Sequence, residues 1–253
     1  MAPLRKPLQG LRNVVRFNWH FDLVAFGLAL GLAGICVAVP AAQDYAWLLL
    51  VLLLAPVLAS LAVSAYVYDF SGLYELNWLP TLTPNQPNIL TINAGFDEIS
   101  AALQHKYTPH QLLAVDFYDP ARHTEVSIQR ARRAYPPYPD TRPVDTRAAL
   151  PLPTDSFDFV FAFLAAHEIR DTTERAAFFR ELRRVTKPSG QIIVTEHLRD
   201  PANFLAYTIG FLHFHSRRAW LATFQTANLR VAQEIKTTPF ITTFLLSKNG
   251  TPA

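Results

Sequence analysis

The chain has 253 residues, half of them apolar, with 23 lysines and arginines against 20 aspartates and glutamates for a net charge of +3. That length allows one domain of ordinary size plus an appendage, and so slight a basic excess, with no nucleic-acid motif around it, does not point to DNA or RNA. The single cysteine, Cys36, excludes disulfides within the chain and cysteine-based metal clusters.

The apolar residues are concentrated near the front. Leu23 to Val39 is an unbroken run of apolar and small residues, and Ala46 to Val67 is a second, interrupted only by Pro56, Ser60 and Ser64. Each is about long enough to cross a ~30 Å hydrocarbon layer as a helix. Pro40 to Tyr45 joins them, so residues 21–68 read as a transmembrane helical hairpin preceded by a basic segment, 1–20. That segment carries Arg5, Lys6, Arg12 and Arg16, whereas the joining loop has no lysine or arginine. The positive-inside rule therefore puts both termini and the following domain in the cytoplasm, at an inner or plasma membrane. Trp19, Tyr45, Trp47, Tyr66 and Tyr68 fall near the span ends, where amphipathic rings prefer the interface. A cleaved signal ending near Ala41 is the competing reading, and the second span that follows at once argues against it. Pro56 would kink a water-soluble helix and is easier to accommodate in a membrane.

Residues 69–88 read as an amphipathic segment and a linker. Phe70, Leu73, Tyr74, Leu76, Trp78 and Leu79 suit either the membrane surface or a cover over the next domain. Thr81 to Asn88, with two prolines, is stiff and extended.

From residue 89 to 253 strands and helices alternate. Ile89 to Asn93 is a short apolar strand, and Ala94-Gly95-Phe96-Asp97 turns it into a helix through about Tyr107. A strand, tight turn and helix start form the nucleotide cradle of doubly wound folds. Gln111 to Phe117 is a second strand ending in Asp116, an acid placed to accept hydrogen bonds from ribose hydroxyls or to cap the turn at Tyr118-Asp119-Pro120. A helix over Arg122 to Tyr135 carries Arg130, Arg132 and Arg133, read as a solvated or membrane-facing surface. The turn-rich Leu150 to Ser156 runs into a buried strand through Phe161. The helix Thr172 to Val185 places Ala176, Phe179, Leu182 and Val185 on one face and is expected to stop at a tight turn, Lys187-Pro188-Ser189-Gly190. The strand Gln191 to Glu196 follows, without polar alternation, as befits parallel strands buried on both faces. A helix, Arg217 to Ala227, and two strands, Arg230 to Lys236 and Phe240 to Ser247, close the chain.

The segments LPLPTDSFDFVFAFLAAHEI and ELRRVTKPSGQIIVTE, in this order, resemble the second half of a class I S-adenosylmethionine-dependent methyltransferase. The resemblance covers about Ile89 to Lys248. It implies an α/β fold with a doubly wound, mostly parallel seven-stranded sheet in the order three, two, one, four, five, seven, six, the last strand antiparallel. It also implies S-adenosylmethionine as cofactor, held by Asn93, Ala94, Gly95 and Asp97 in the first loop, Asp116 and Phe117 after the second strand, and Asp145 with Thr146 near the adenine. The first loop departs from the family's acidic residue followed by GxGxG: Thr91 replaces the acid, Asn93 the first glycine and Asp97 the third, leaving only Gly95. Asn93 can adopt left-handed dihedrals, and Asp97 is a good helix cap.

His167 and Glu168 follow the fourth strand, and Glu196 and His197 end the fifth, at the carboxyl edge where such folds bind ligands. His167 is the first candidate for a catalytic base, and helix capping by the same residues weighs equally. No metal is expected: His167-Glu168-Ile169-Arg170-Asp171 has aspartate where HExxH needs histidine, and His213 and His215 alternate with phenylalanines as on one half-buried face. The expected function is a membrane-anchored methyltransferase for a small, lipid-like acceptor. The alternative is a degenerate methyltransferase fold serving as a binding or scaffolding module at the membrane. A nicotinamide oxidoreductase would need the GxGxxG that is missing.

Overall fold

The computed structural model of the protein describes residues 5–79 and 85–248. Helix α1, Gln9–Ala38, turns through a 3-10 step at Pro40–Ala42 into α2, Gln43–Ala65, and the two pack on each other as a hairpin. Both are long and apolar enough to cross a membrane, and only 6% of the most apolar stretch of each is buried. Phe21, Leu23, Val24, Phe26, Leu48, Val51 and Leu52 are more than half exposed, the reverse of a helix in a soluble core. No helix breaker separates Gln9 from Leu23, so most of the basic segment forms the first turns of α1.

The far end of the hairpin returns to its beginning. A π-helical turn, Tyr66–Phe70, brings Asp69 to the start of α1, where its carboxylate accepts the Gly10 N–H at 2.7 Å and the Leu11 N–H at 2.8 Å. These are orphan donors that a helix start must satisfy. A Cβ at Gly10 would stand 2.3 Å from Tyr68 Cβ, so this approach requires glycine. The chain then passes through a 3-10 turn, Leu73–Glu75, and buries Val67, Leu73, Tyr74, Leu76 and Leu79 on one face of the sheet, against Ile89, Phe159, Phe161 and Ile193. Of the two roles open to this amphipathic segment, the structure shows the cover. Half of the expected linker, residues 81–84, lies outside the described residues.

The sheet contains β1 (Asn88–Asn93), β2 (Gln111–Asp116), β3 (Arg142–Pro143), β4 (Phe157–Phe163), β5 (Thr186–His197), β6 (Leu229–Thr238) and β7 (Ile241–Lys248). Their order is β3-β2-β1-β4-β5-β7-β6, parallel from β3 to β5, with β7 antiparallel to both neighbours. Helices α3 (Ser100–Tyr107), α4 (Val126–Ala134), α5 (Thr172–Val185), α6 (Pro201–Tyr207) and α7 (Arg217–Thr226) complete the fold. Phe178, Phe179 and Leu182 of α5 pack with Trp220 and Phe224 of α7 against Val160, Val194 and Phe244 of the sheet.

The expected tight turn at 187–190 is instead an excursion within β5. Thr186 pairs with Phe157 and Gln191 with Phe159, so the residues between bulge out of the ladder. Lys187 closes the bulge on Asp158 at 2.9 Å, and a Cβ on Gly190 would come within 2.7 Å of the Asp158 carbonyl oxygen.

Candidate functional site

The turn after β1 sits where its sequence placed it. Gly95 has φ +95°, a conformation open to glycine at little cost, while Asn93 remains in the strand, paired with Asp116, and takes no left-handed turn. Asp97 Oδ1 accepts the N–H groups of Ile99 and Ser100 at 3.1 and 2.9 Å, so it caps α3, and its Oδ2 accepts Asn93 Nδ2 at 3.1 Å. Thr91, where the family has an acid, shares a buried 2.6 Å hydrogen bond with Ser100.

Asn93, Gly95, Asp97 and Asp116 converge on one open cleft, bordered by Arg132 and Tyr135. Asp116 Oδ1 accepts Gly95 N at 2.7 Å and Tyr118 N at 2.9 Å, and Oδ2 pairs with Arg132 Nη1 at 2.5 Å. Arg132 also lies over the Tyr118 ring, 4.5 Å from its centroid.

The other residues expected at the cofactor are not brought to this cleft. Ala94 and Phe117 are buried, the latter against Phe178 and His123. Asp145 is turned onto Arg147, which holds its carboxyl below the usual range, and the buried Thr146 hydroxyl donates to Glu174.

Arg132 was missed as a site residue because the three arginines read as one surface. They separate instead by helical position: Arg132 reaches Asp116, while Arg130 donates to the Phe17 carbonyl at 2.6 Å. Phe17 of α1 packs edge-on to Phe96 and Tyr135, and Tyr135 Oη donates to Asn13 Oδ1 at 2.8 Å. The first turns of α1 therefore lie directly on the loop that holds Gly95.

A second constellation stands at the carboxyl ends of β4 and β5. His167 is buried, its N–H donating to Glu196 Oε1 at 3.1 Å and its Nδ1 lying 2.6 Å from Glu196 Oε2. Its Nε2 faces Glu168 Oε1 at 3.3 Å. The same Glu168 oxygen meets His213 Nε2 at 3.2 Å, and His213 Nδ1 meets Glu125 Oε1 at 3.2 Å. Arg170, exposed, donates to the His213 carbonyl and lies against its ring, with Nη2 3.0 Å from Nε2. Burial alone would lower the His167 pKa, but Glu196 and Glu168 outweigh it and hold it up at about 10. Glu168, which burial would raise, is held far below the carboxylate range by the two histidines.

His197 serves another purpose. Its Nε2 meets Tyr68 Oη at 2.9 Å and its Nδ1 meets Asn203 Oδ1 at 3.0 Å, tying the end of the hairpin to the sheet. Burial pushes its pKa down to about 4. His215 likewise turns away from the constellation, onto Arg175 at 3.0 Å.

Residues 90–194 match a family model described as "Methyltransferase domain". No curated protein matches the chain significantly. Among solved structures, a chain from the complex between the Haloferax volcanii Trm112 methyltransferase activator and a methyltransferase is similar at 15% identity, covering 79% of this chain and 98% of that one with a TM-score of 0.50. A SAM-dependent methyltransferase from Aquifex aeolicus is similar at 15% identity over 64% of this chain and 82% of its own, TM-score 0.45. An S-adenosylmethionine-dependent methyltransferase from Mesorhizobium loti is similar at 17% identity over 64% and 92%, TM-score 0.44. The sheet and the helices around it have the fold of class I methyltransferases, and two long apolar helices precede them. S-adenosylmethionine is the cofactor of that class.

Proposed function

We propose that this chain is a membrane-anchored S-adenosylmethionine-dependent methyltransferase acting on a small acceptor of lipid-like character. The cleft formed by Asn93, Gly95, Asp97 and Asp116 carries the reading, since these are the cofactor-side residues of the fold and they meet in one place.

The residues of this cleft fit the cofactor. Among the described residues Asp116 Oδ2 has Arg132 as its one partner and keeps a further lone pair for ribose hydroxyls, and the Arg132 side chain is 38% exposed. The Asp97 carboxylate and Asn93 amide offer acceptors to an ammonium group. When bound, S-adenosylmethionine supplies an electrophilic methyl group on a sulfonium. The chain's part is to align an acceptor with that carbon and exclude water. His167 belongs to the acceptor side of this proposal: Glu196 fixes its Nδ1 and Glu168 faces its Nε2, so at neutral pH the ring is charged and orients the acceptor, and it serves as a base only above a pH of about 10.

Membrane attachment rests on the exposed apolar length of α1 and α2 and on a neighbouring apolar surface. Phe204 and Leu205 of α6, which packs beside α2, and Ile209 and Leu212 of the 3-10 turn Thr208–His213 are 48 to 80% exposed. A contiguous apolar surface of this kind suits lipid contact and an acceptor arriving from the bilayer. In the direction expected from the sequence, both termini and the domain are cytoplasmic.

The alternative, a binding module without catalysis, is favoured by one observation: Asp116 already accepts from Gly95, Tyr118 and Arg132. Thermal unfolding of the detergent-solubilised protein with S-adenosylmethionine and with its demethylated product separates the two. At ~100 times the dissociation constant, ligand stabilises the fold by about 2.7 kcal/mol. A shift abolished by Asp116→Ala supports the enzyme, and no shift with either ligand at millimolar concentration sinks it.

A further inference from the structure

We propose that His167 Nε2, Glu168 Oε1 and His213 Nε2 form a binding site for one divalent first-row transition metal ion at the carboxyl edge of the sheet. Among the described residues these three side chains bring one ligand atom each to within 4.8 Å of one another. The two N···O separations, 3.3 and 3.2 Å, match the edge of a tetrahedron built on metal bonds of 2.0 to 2.1 Å, which is about 3.3 to 3.4 Å.

The second ring nitrogen of each histidine supports the assignment independently. Glu196 holds His167 Nδ1 at 2.6 Å and Glu125 holds His213 Nδ1 at 3.2 Å. A metal-bound imidazole characteristically donates its other N–H to a carboxylate, which fixes the tautomer and aims the ligating nitrogen. His167 has that partner outright; His213 Nδ1 faces Glu125 but also lies against Arg170 Nη2, so it takes that partner once Arg170 withdraws, and both ligating nitrogens face one shared carboxylate oxygen.

Charge agrees with the geometry. With both imidazoles neutral, Glu125, Glu168 and Glu196 carry three negative charges against the single positive charge of Arg170, and a divalent ion balances the remainder. Two histidines and one carboxylate suit zinc, cobalt or iron and leave at least one position open to water or an oxygen ligand. The access side is marked by His213, 27% exposed, and by the exposed Arg170, which must leave His213 Nε2 when an ion enters. With an ion bound, His167 is a ligand rather than a base.

The set could not be read from spacing, because His213 lies 45 residues beyond Glu168 and comes from a different loop. Within the local run His167 to Asp171 the second histidine is missing, and the fold supplies it from elsewhere.

The test is titration of the full-length, detergent-solubilised protein with Co²⁺, read by visible absorption and by equilibrium dialysis. It needs neither S-adenosylmethionine nor an acceptor, so its failure is distinct from failure of the methyltransferase reading. One Co²⁺ per chain is expected, weakened at least ten-fold by His213→Ala and by Glu168→Gln, and ten- to a hundred-fold by Glu196→Gln. His105→Ala, an exposed control, leaves binding unchanged, and Arg170→Ala leaves it unchanged or tighter. Equal affinity in wild type, His213→Ala and Glu168→Gln, or no stoichiometric binding at millimolar Co²⁺, overturns the proposal. His213 stands on a surface turn, and melting curves of each variant test whether the fold is retained.

Discussion

Arg132 Nη1 lies 2.5 Å from Asp116 Oδ2, so the acid at the end of β2 is already paired with a cation from α4. Any ligand that uses this oxygen competes with Arg132 for it. An exposed ion pair contributes at most about 1 kcal/mol, so Arg132→Ala is expected to tighten binding of S-adenosylmethionine or its demethylated product by up to roughly five-fold. Isothermal titration of both proteins measures it, and weaker binding in the variant would mean that Arg132 contacts the ligand instead of competing with it.

The junction between Asp69 and the start of α1 should hold the hairpin to its domain. Asp69→Ala removes the acceptor of two helix-start N–H groups, a loss of about 0.5–2 kcal/mol by analogy with helix caps. Gly10→Ala forces a Cβ into Tyr68 and is expected to cost about 1–3 kcal/mol. Because both act at one contact, the double variant should lose less than the sum, which melting curves of the four proteins will show.

Phe179 is fully buried between α5 and α7, with ring neighbours Trp220 and Phe224. Phe179→Ala leaves a cavity and should cost about 3–5 kcal/mol in denaturant unfolding. A loss below 1 kcal/mol would indicate that the two helices collapse together.

Acid should weaken the fold through His197. Its pKa is about 4 in the folded protein against the ordinary 6.5, so above pH 6.5 the ring is neutral in both states. As pH falls from 6.5 towards 4 the unfolded chain takes up the proton first, and stability is lost at up to about 1.4 kcal/mol per pH unit. His215, also lowered to about 4, acts in the same direction. His197→Gln should therefore reduce, without abolishing, the difference in melting temperature between pH 7 and pH 5; an undiminished difference would remove His197 as a source.

What could be read before the structure was what local patterns encode. Buried apolar runs such as Phe157 to Phe163 identify parallel strands, and the spacing of Ala176, Phe179, Leu182 and Val185 identifies α5. The bulge at 187–190 reads as a turn in the sequence because proline and glycine signal a break in either setting, and only the ladder with β4 tells them apart. Asp116 and Gly95 were legible from their places at a strand end and in a tight turn. Arg132, the contact of Phe17 with Phe96, and the meeting of His167 with His213 were not, since each joins different elements, 16 or more residues apart, and depends on how helices settle against the sheet.

Helix α1 is continuous from Gln9 to Ala38, and Phe17, near its start, rests on the loop beside Gly95. The apolar run begins at Leu23, six residues further on, and at 1.5 Å per residue that is about 9 Å of rigid rod. With the hairpin in a bilayer, α1 acts as a standoff that fixes the height of the cofactor cleft above the hydrocarbon. The second leg must match it, because Asp69 closes the end of the hairpin on Gly10, so the reach demanded of an acceptor is set by the two helices together. Inserting matched turns into both would raise the cleft in steps and select for acceptors that protrude further from the membrane.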